Sequence, residues 1–360
     1  MSMAVIAYAM STAAVSQVLQ PGFDAEEYRE CLRITSHMHI DEGKIDSIYM
    51  SAEPRHSTRL YYSPTTGFDN EWELWRDDTR KVVHIVLRAT VTTMKSWGSN
   101  FNAGLVPAHG VTEVGKRREY CLSNDSSAMV HGGWVAGLMT MVEDIDEKLD
   151  SCLKAGCRDF IICGHSQGGG LSYLTTARLR IKQQEGKIPS DVRFKTYCSA
   201  APKPGDYAFA LSYEHLTQGG WSYTVVNADD WVPELPLSVQ RPTDMRPTNP
   251  FANIDELLKS SGPMTRLKLK FLYNRLYKPT DKAVRNIEKY LGTTVGEMME
   301  GQVPEYKQPA EYSDCANYAR TGPFIILMPD EGYHQIHPHV AKDAFEHHMY
   351  KAYEYLADKL

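Results

Sequence analysis

A short apolar run that breaks into glycine and serine constrains this 360-residue chain more than any other stretch. It reads Phe160-Ile161-Ile162-Cys163-Gly164-His165-Ser166-Gln167-Gly168-Gly169-Gly170, and a helical pattern follows at once. A continuous apolar run is typical of a strand that is covered on both faces of a sheet. A serine held in a tight, strained turn needs very small residues two positions to either side, because larger ones would clash with the backbone. The stretch therefore predicts a strand, a strained serine and a helix.

The same residues suggest a chemical role for the serine. Gly164, Ser166 and Gly168 form the pattern G-x-S-x-G, which is typical of the nucleophile elbow of an α/β-hydrolase. The N-terminus of the following helix directs free N–H groups and the positive end of its dipole at developing negative charge. The alternative is a glycine-rich turn without chemistry. If Ser166 is a nucleophile, the rest of the chain must supply an acid, a base and an oxyanion hole.

The composition indicates a soluble globular protein without the charge pattern of a nucleic-acid-binding protein. Apolar residues make up 42% of it, and its formal net charge is -6 with both signs scattered, so we expect no nucleic-acid partner. No apolar run approaches the roughly 20 residues of a membrane-spanning helix. The seven cysteines include no CxxC pair, so neither zinc nor a redox motif is indicated, and we expect no cofactor.

The N-terminal residues leave the cellular compartment open. Residues 1–19 are mildly apolar but contain no Lys or Arg, so they lack the basic segment of a signal peptide. The chain is then expected to be cytoplasmic, or secreted or periplasmic if a signal segment was removed.

Strand and helix patterns alternate along the chain, and this alternation predicts a mostly parallel central sheet with helices on both faces. Strands are expected at 47–49, 58–62, 81–87, 192–200, 223–227 and 322–328, besides the one before Ser166. Helices are expected at 3–19, 25–36, 130–154 and 167–186. The expected fold is a single α/β-hydrolase domain over residues 1–360, with an N-terminal helical segment at 1–40 and a helical cap or insertion at about 237–318.

The strand at 81–87 ends in Arg88-Ala89-Thr90. In an α/β-hydrolase the loop after this early strand supplies half of the oxyanion hole, and Thr90 could offer both its backbone N–H and its hydroxyl. The alternative is an ordinary strand end. Residues 91–129 show no long periodic pattern, and we interpret them as a lid or substrate loop.

Two aspartates follow the strand at 223–227, where the acid of a Ser-Asp-His triad is expected. Asp229 and Asp230 are equally well placed, and the residues alone do not separate them. Earlier in the chain, His131 precedes the nucleophile at the start of a helix. We interpret it as a structural hydrogen-bonding residue and not as the base.

Five histidines near the C-terminus compete for the role of base. A catalytic histidine must reach Ser166 Oγ with one ring nitrogen and the acid with the other. The candidates are His334, His337, His339, His347 and His348, the last two at the start of a terminal helix or inside it. The first three also form H-x-x-H-x-H, but no Cys or suitably placed carboxylate pair completes a metal site, so we expect none.

A basic and apolar run at 266–272 lies within the expected insertion. It is compatible with transient contact with a lipid surface. The interpretation we favour is a cap helix with a buried apolar face and solvated charges.

Taken together, five stretches of the chain resemble the class 3 lipase family, the fungal-lipase-like branch of the α/β-hydrolases. They occur in the family's order and cover about residues 87–236. They are Leu87-Arg88-Ala89-Thr90, His131-Gly132-Gly133-Trp134, Gly164-His165-Ser166-Gln167-Gly168-Gly169, Ala201-Pro202-Lys203-Pro204-Gly205 and Asn227-Ala228-Asp229-Asp230-Trp231-Val232-Pro233. Ala89 departs from the family's R-G-[ST], where glycine stands.

The resemblance implies a role for each site residue. Its N-x-x-D-x-V-P register selects Asp230 as the acid, and its H-x-x-x-x-Y pattern fits His348 with Tyr353, with His347 and then His339 as alternatives. Ser166 would be the nucleophile, and the backbone N–H groups of Thr90 and Gln167 would bind the oxyanion.

The function implied is that of a serine carboxylic-ester hydrolase, a lipase that acts on acylglycerols through an acyl-enzyme. A phospholipase or another esterase could use the same triad. A non-catalytic module that binds a lipid or a protein partner is the alternative from a different class, and an intact set of serine, aspartate and histidine argues against it.

Overall fold

The computed structural model describes residues 18–38, 50–246, 248–250, 254–259, 261–340 and 343–360. The β-prone run at 47–49 lies outside the described residues. So does the helix expected at 3–19, apart from Val18 and Leu19, which form no helix.

The described residues form short and long elements in the following order. The strands are β1 (Ser57–Tyr62), β2 (Trp72–Asp77), β3 (Val83–Leu87), β4 (Leu105–Pro107), β5 (His109–Val114), β6 (Lys116–Cys121), β7 (Met129–His131), β8 (Asp159–His165), β9 (Arg193–Ser199), β10 (Gly205–Asp206), β11 (Ser222–Asn227), β12 (Tyr306–Lys307), β13 (Tyr318–Ala319) and β14 (Phe324–Leu327). The helices are α1 (Ala25–His37), α2 (Met94–Phe101), α3 (Gly132–Lys154), α4 (Gln167–Gln184), α5 (Tyr207–Thr217), α6 (Ile254–Leu257), α7 (Pro263–Ile287), α8 (Val295–Gln302), α9 (Glu331–Ile336) and α10 (Tyr350–Ala357). A π-helical turn, Glu288–Thr294, joins α7 to α8, and Glu346–His348 is a separate 3-10 turn before α10.

Seven strands form the main sheet in the order β1-β2-β3-β8-β9-β11-β14. The five strands from β3 to β14 pair in parallel, whereas β1 and β2 are antiparallel at one edge. The strand that leads into Ser166 is thus central, with β3 on one side and β9 on the other. The mostly parallel sheet agrees with the sequence prediction.

Two apolar cores lie on the two faces of this sheet. Along β8, Phe160 and Ile162 belong to the core that α3 and α4 cover, whereas Ile161 and Cys163 belong to the core that α1 and α10 cover. Because successive strand residues point to opposite faces, an unbroken apolar run is what a strand between two helical layers requires.

Several elements differ from the sequence predictions. Residues 91–129, interpreted as a lid or substrate loop without a long periodic pattern, contain α2, β4 and the hairpin of β5 and β6. The helix expected from 130 begins at Gly132, because Met129–His131 forms a strand that pairs with β4 and β10. His347 and His348 lie in the 3-10 turn and not in the terminal helix.

The interpretation of 266–272 as a helix with a buried apolar face is wrong in its second part. These residues do lie in α7, but every residue from 262 to 272 is exposed. The pattern of apolar residues therefore predicts the helix correctly, but it does not predict whether the apolar side chains are buried or exposed.

Candidate active site

The turn between β8 and α4 holds Ser166 in a strained conformation. Its φ is 57° and its ψ is -124°, a region that residues with a side chain rarely adopt. The Ser166 N–H donates to the carbonyl of Ser199 on β9 at 2.9 Å, which ties the turn to the sheet. The turn therefore directs the serine side chain out of the end of the central strand.

Glycine is required on both sides of this serine by close backbone contacts. A Cβ at Gly164 would lie 2.3 Å from the carbonyl carbon of Gly168. A Cβ at Gly168 would lie 2.2 Å from the carbonyl oxygen of Leu87, the last residue of β3. The G-x-S-x-G spacing thus allows α4 to start directly against the two strands that flank the site.

Asp230 and His348 lie together, although 118 residues separate them in the chain. His348 Nδ1 is 2.7 Å from Asp230 Oδ2, and both side chains are buried. The other oxygen, Asp230 Oδ1, accepts a bond from the Val232 N–H at 2.9 Å. With Nδ1 engaged by the carboxylate, the remaining ring nitrogen of His348 is the one left for proton transfer to a substrate or nucleophile.

The alternative acid and bases have different partners. Asp229 is more exposed, and its Oδ2 lies 3.7 Å from His334 Nδ1. His347 Nδ1 lies 2.7 Å from the hydroxyl of Tyr333, and its ring stacks on that of His339. Burial is the main cause that lowers the pKa of His347. The contact of Asp229 with His334 is longer and more exposed than the buried pair of Asp230 and His348.

Thr90 lies just beyond β3, and its hydroxyl is fixed by α2. The Asn100 side-chain amide donates to Thr90 Oγ1 at 2.8 Å, and Asn100 Oδ1 accepts from the Trp134 indole N–H at 3.0 Å. Because Thr90 Oγ1 accepts a bond, its own proton is left to donate elsewhere. Sequence reasoning singled out Thr90 but missed Asn100, since α2 was not predicted.

Gln167 is the first residue of α4 and is buried. Its backbone N–H is one of the first four of the helix, which have no partner within the helix and point out of its N-terminal end. The end of α4 is therefore a region of positive potential next to the Ser166 side chain.

His131 is fully buried and has a structural position at the N-terminus of α3. Its Nδ1 accepts from the Trp134 N–H at 3.4 Å, and its Nε2 lies 3.1 Å from the Asn100 carbonyl, to which it donates. Burial lowers the pKa of His131 to about 3, so the ring is neutral at ordinary pH. These bonds agree with the structural role expected from the sequence.

A second histidine, His165, holds the backbone of His348. Its Nε2 lies 2.8 Å from the His348 carbonyl, and its Nδ1 lies 3.0 Å from Ser199 Oγ, which in turn is 2.9 Å from the Tyr28 hydroxyl. The chain of bonds runs from α1 through the sheet to the 3-10 turn. Sequence reasoning missed this contact, because no local pattern links residues 183 positions apart.

Ser166 and His348 line one cavity of about 670 Å³. This volume lies in the range of small-molecule sites. Apolar and aromatic side chains form most of the wall, among them Trp97, Phe101, Trp231, Leu235, Leu237, Leu291, Phe345 and Met349. Thr90, Asn100 and Gln167 also line it, so the candidate nucleophile, base and oxyanion donors share one apolar chamber.

The described residues contain neither a metal-binding cluster nor a membrane-spanning helix. No group of three or more His, Cys, Asp or Glu in them is arranged to hold a metal ion. Nor is any helix in this part of the chain both long enough and apolar enough to span a bilayer.

A mostly parallel sheet, a central strand that turns through a strained serine into a helix, and a histidine–aspartate pair at the same cavity define the α/β-hydrolase class. Within that class, residues 84–240 match the model of the family described as Lipase (class 3). The match covers the central part of the chain, which carries the motifs that predicted this family.

Two fungal proteins are similar to the chain in sequence. The secreted mono- and diacylglycerol lipase 3 of Gibberella zeae is 32% identical over 143 residues, which cover 39% of this chain and 43% of that protein. The secreted mono- and diacylglycerol lipase 1 of Fusarium solani is 27% identical over 161 residues, 44% of this chain and 41% of that protein. The match thus spans less than half the length of either relative.

Solved structures of fungal lipases are similar in part. A propeptide complex of Rhizomucor miehei lipase aligns with 60% of this chain and 65% of its own, at 20% identity and a TM-score of 0.43. Lipase II from Rhizopus niveus aligns with 59% of this chain and 73% of its own, at 19% identity and a TM-score of 0.43. The fold assignment depends on the sheet order and the serine turn, and not on these alignments.

Proposed function

We propose that this protein is a serine carboxylic-ester hydrolase that acts on acylglycerols. The observation that carries the proposal is one apolar cavity that is lined by strained Ser166 and by His348, whose ring is bonded to buried Asp230. A serine at such a turn and a histidine oriented by a buried carboxylate are the parts that acyl transfer requires.

The proposed reaction begins when Ser166 Oγ attacks the ester carbonyl and His348 takes the serine proton. Asp230 orients the imidazole and stabilises its charged form. The backbone N–H groups of Thr90 and Gln167 bind the oxyanion, each donor lowering the barrier by about 3 kcal/mol. His348 then protonates the leaving alcohol. Water, activated by the same histidine, releases the acyl group.

The chemistry of the cavity wall favours a neutral ester over a phospholipid. Of the described residues that line it, none is Lys or Arg, and the one carboxylate is that of Asp343. Among these described residues an anionic phosphate group would find no cation to pair with, and burying it unpaired would be costly. The two relatives named as mono- and diacylglycerol lipases are consistent with this choice. A phospholipase or another esterase remains the second candidate.

Hydrolysis of p-nitrophenyl butyrate and p-nitrophenyl palmitate by the wild type and by Ser166→Ala tests the reaction. We expect activity on both esters and a loss of more than about 10⁴-fold in the variant. Ser151→Ala is the control, because Ser151 is an exposed serine of α3. Activity that survives Ser166→Ala would refute the mechanism. A wild type without esterase activity that binds lipid would favour the non-catalytic module.

A second experiment tests whether the substrates are acylglycerols or phospholipids. Fatty-acid release is measured from dioleoylglycerol and from phosphatidylcholine in matched detergent micelles. We expect faster release from the diacylglycerol, and the reverse order would make the protein a phospholipase. We also propose that the protein meets these substrates at a lipid surface, because long-chain acylglycerols do not dissolve as single molecules.

A further inference from the structure

The N-terminal half of α7 exposes an unusual amount of apolar surface. Every residue from 262 to 272 is exposed to solvent. Six large apolar side chains in this half are each 40–66% exposed: Met264, Leu267, Leu269, Phe271, Leu272 and Leu276. Contiguous apolar surface of this kind marks a site of interaction with a protein or a membrane.

The same helix is strongly basic. Residues 263–287 contain seven Lys and Arg and one Asp, a net charge of +6, whereas the whole chain carries -6. Residues 263–280 contain five basic residues and no acidic one, and all five are exposed. The positive charge is therefore concentrated on the half that also exposes the apolar side chains.

The C-terminal half of α7 is anchored to the rest of the protein. Asp281 is buried and bonds both Arg285 on its own helix and Arg241, which lies 3.1 Å away. Val284 is fully buried. Between the two halves, Pro279 has no N–H to donate to the carbonyl four residues earlier, so the helix is weakened at that point. The helix α7 thus consists of an exposed N-terminal half and a C-terminal half that is anchored to the rest of the protein.

We propose that the exposed part of α7 (the arm, residues 263–278) binds an anionic lipid surface. Leucine and phenylalanine side chains enter the boundary between headgroups and acyl chains, while lysine and arginine pair with anionic headgroups. A second copy of the chain is a poorer occupant, because two arms of the same positive charge would repel each other. The proposal extends the proposed function by naming the element and the lipid charge.

The arm is connected to the candidate active site through continuous helix. The π-helical turn that follows α7 contains Leu291, which lines the cavity. The next helix, α8, packs on α2, where the side chain of Met299 lies against Gly98. The family match ends at residue 240, so α7 lies outside the matched region.

Flotation of the full chain with vesicles tests the proposal. One set is phosphatidylcholine alone, and the other is equal parts of phosphatidylcholine and phosphatidylserine. We expect at least roughly tenfold stronger partitioning to the anionic vesicles, and a decrease with added salt. Equal partitioning to both sets, or none, would overturn the proposal.

Two double variants separate the apolar contribution from the charge. Leu267→Gln with Phe271→Gln should weaken partitioning by more than about tenfold, and Lys268→Gln with Arg275→Gln by roughly twentyfold. These side chains are exposed, so the fold should persist. Leu60→Gln with Val111→Gln, and Lys154→Gln with Lys187→Gln, are matched controls at exposed sites elsewhere and should bind like the wild type. Unchanged binding by the α7 variants would assign vesicle binding to another surface.

Hydrolysis of soluble p-nitrophenyl butyrate, measured on the same samples, keeps the two proposals distinguishable. The α7 variants should retain this activity, because the arm lies outside the cavity. Vesicle binding by a protein without any esterase activity would refute the proposed function and leave the arm's role standing. The lipid proposal would be refuted if the wild type does not bind anionic vesicles but self-associates, and if Leu267→Gln with Phe271→Gln abolishes the self-association. The arm would then be assigned to contact with a second copy of the chain.

Discussion

The Tyr353 hydroxyl lies 2.7 Å from Asp230 Oδ2, the same carboxylate oxygen that lies 2.7 Å from His348 Nδ1. Burial, and secondarily the charge of Asp230, raises the pKa of Tyr353, so its hydroxyl is protonated and donates to the carboxylate. One oxygen of the Asp230 carboxylate thus accepts hydrogen bonds from both Tyr353 and the candidate base, His348. Tyr353 is a positioning residue in this arrangement, since it touches the acid and not the substrate.

We expect Tyr353→Phe to lower kcat/KM for p-nitrophenyl butyrate by about tenfold, because a hydrogen bond to a charged group contributes roughly 1.5–3 kcal/mol. The acidic limb of the pH–rate profile should move to higher pH. A carboxylate that no longer shares its charge with Tyr353 stabilises the imidazolium more strongly. Tyr213→Phe is the control, because it removes a buried hydroxyl that bonds Ser222, away from the site. If the pH–rate profile of Tyr353→Phe is the same as that of the wild type, the role of the tyrosine is purely structural.

The Thr90 hydroxyl should contribute to oxyanion binding beside the backbone N–H groups. Asn100 donates to Thr90 Oγ1, which frees the hydroxyl proton to bind the developing charge. Thr90→Val keeps the shape of the side chain and should lower kcat by about 10²-fold with little change in KM. Thr90→Ser keeps the hydroxyl and should retain most of the activity. Full activity in Thr90→Val would mean that the backbone N–H groups bind the oxyanion without the hydroxyl.

The central strands could be predicted from sequence because their burial on two faces leaves a continuous apolar signal. The strand β2 has no such signal, since apolar and charged residues are mixed in Trp72-Glu73-Leu74-Trp75-Arg76-Asp77. Glu73 is fully buried there, where it accepts from the Trp75 indole at 2.6 Å and pairs with Arg59 at 3.1 Å. A buried charge that a distant partner compensates cannot be read from the local pattern.

The part of the candidate site that lies in local sequence motifs could be predicted from the sequence. The serine turn has a local signature, because the close backbone contact that requires Gly164 is made with Gly168, four residues later. Asp230 was chosen over Asp229 and His348 over His347 by family resemblance, and the structure brings this pair to 2.7 Å. Their catalytic roles stay predictions. The bonds from Tyr353, Asn100 and His165 were missed because they join distant parts of the chain.

Stability below neutral pH should depend on His131. Burial lowers the pKa of His131 from 6.5 to about 3 in the folded state. Between these values the unfolded chain binds a proton that the folded protein does not, so stability is lost as the pH falls below about 6.5. His131→Asn keeps a side chain that can cap α3 and should reduce the slope of unfolding free energy against pH by up to about 1.4 kcal/mol per pH unit. Urea unfolding at several pH values measures this slope.

His109→Asn is the control for this experiment, because His109 is exposed on the β5–β6 hairpin. It should leave the slope as in the wild type. Equal slopes for His131→Asn and the wild type would mean that other buried groups cause the acid sensitivity.

Gly168 should tolerate no side chain, although it lies in the first turn of a helix where alanine is intrinsically favoured over glycine. A Cβ there would meet the Leu87 carbonyl oxygen at 2.2 Å, and this oxygen belongs to the backbone of β3 and cannot rotate away. We expect Gly168→Ala to destabilise the protein by roughly 1–3 kcal/mol. It should also reduce kcat, because the displaced strand end carries Thr90. Gly301→Ala in α8 is the matched control: no atom lies within 4 Å of its Cβ position, so helix propensity alone should raise stability by about 0.5–1 kcal/mol. Thermal unfolding and p-nitrophenyl butyrate hydrolysis measure both variants, and a Gly168→Ala protein as stable and active as the wild type would contradict the close packing of α4 against β3.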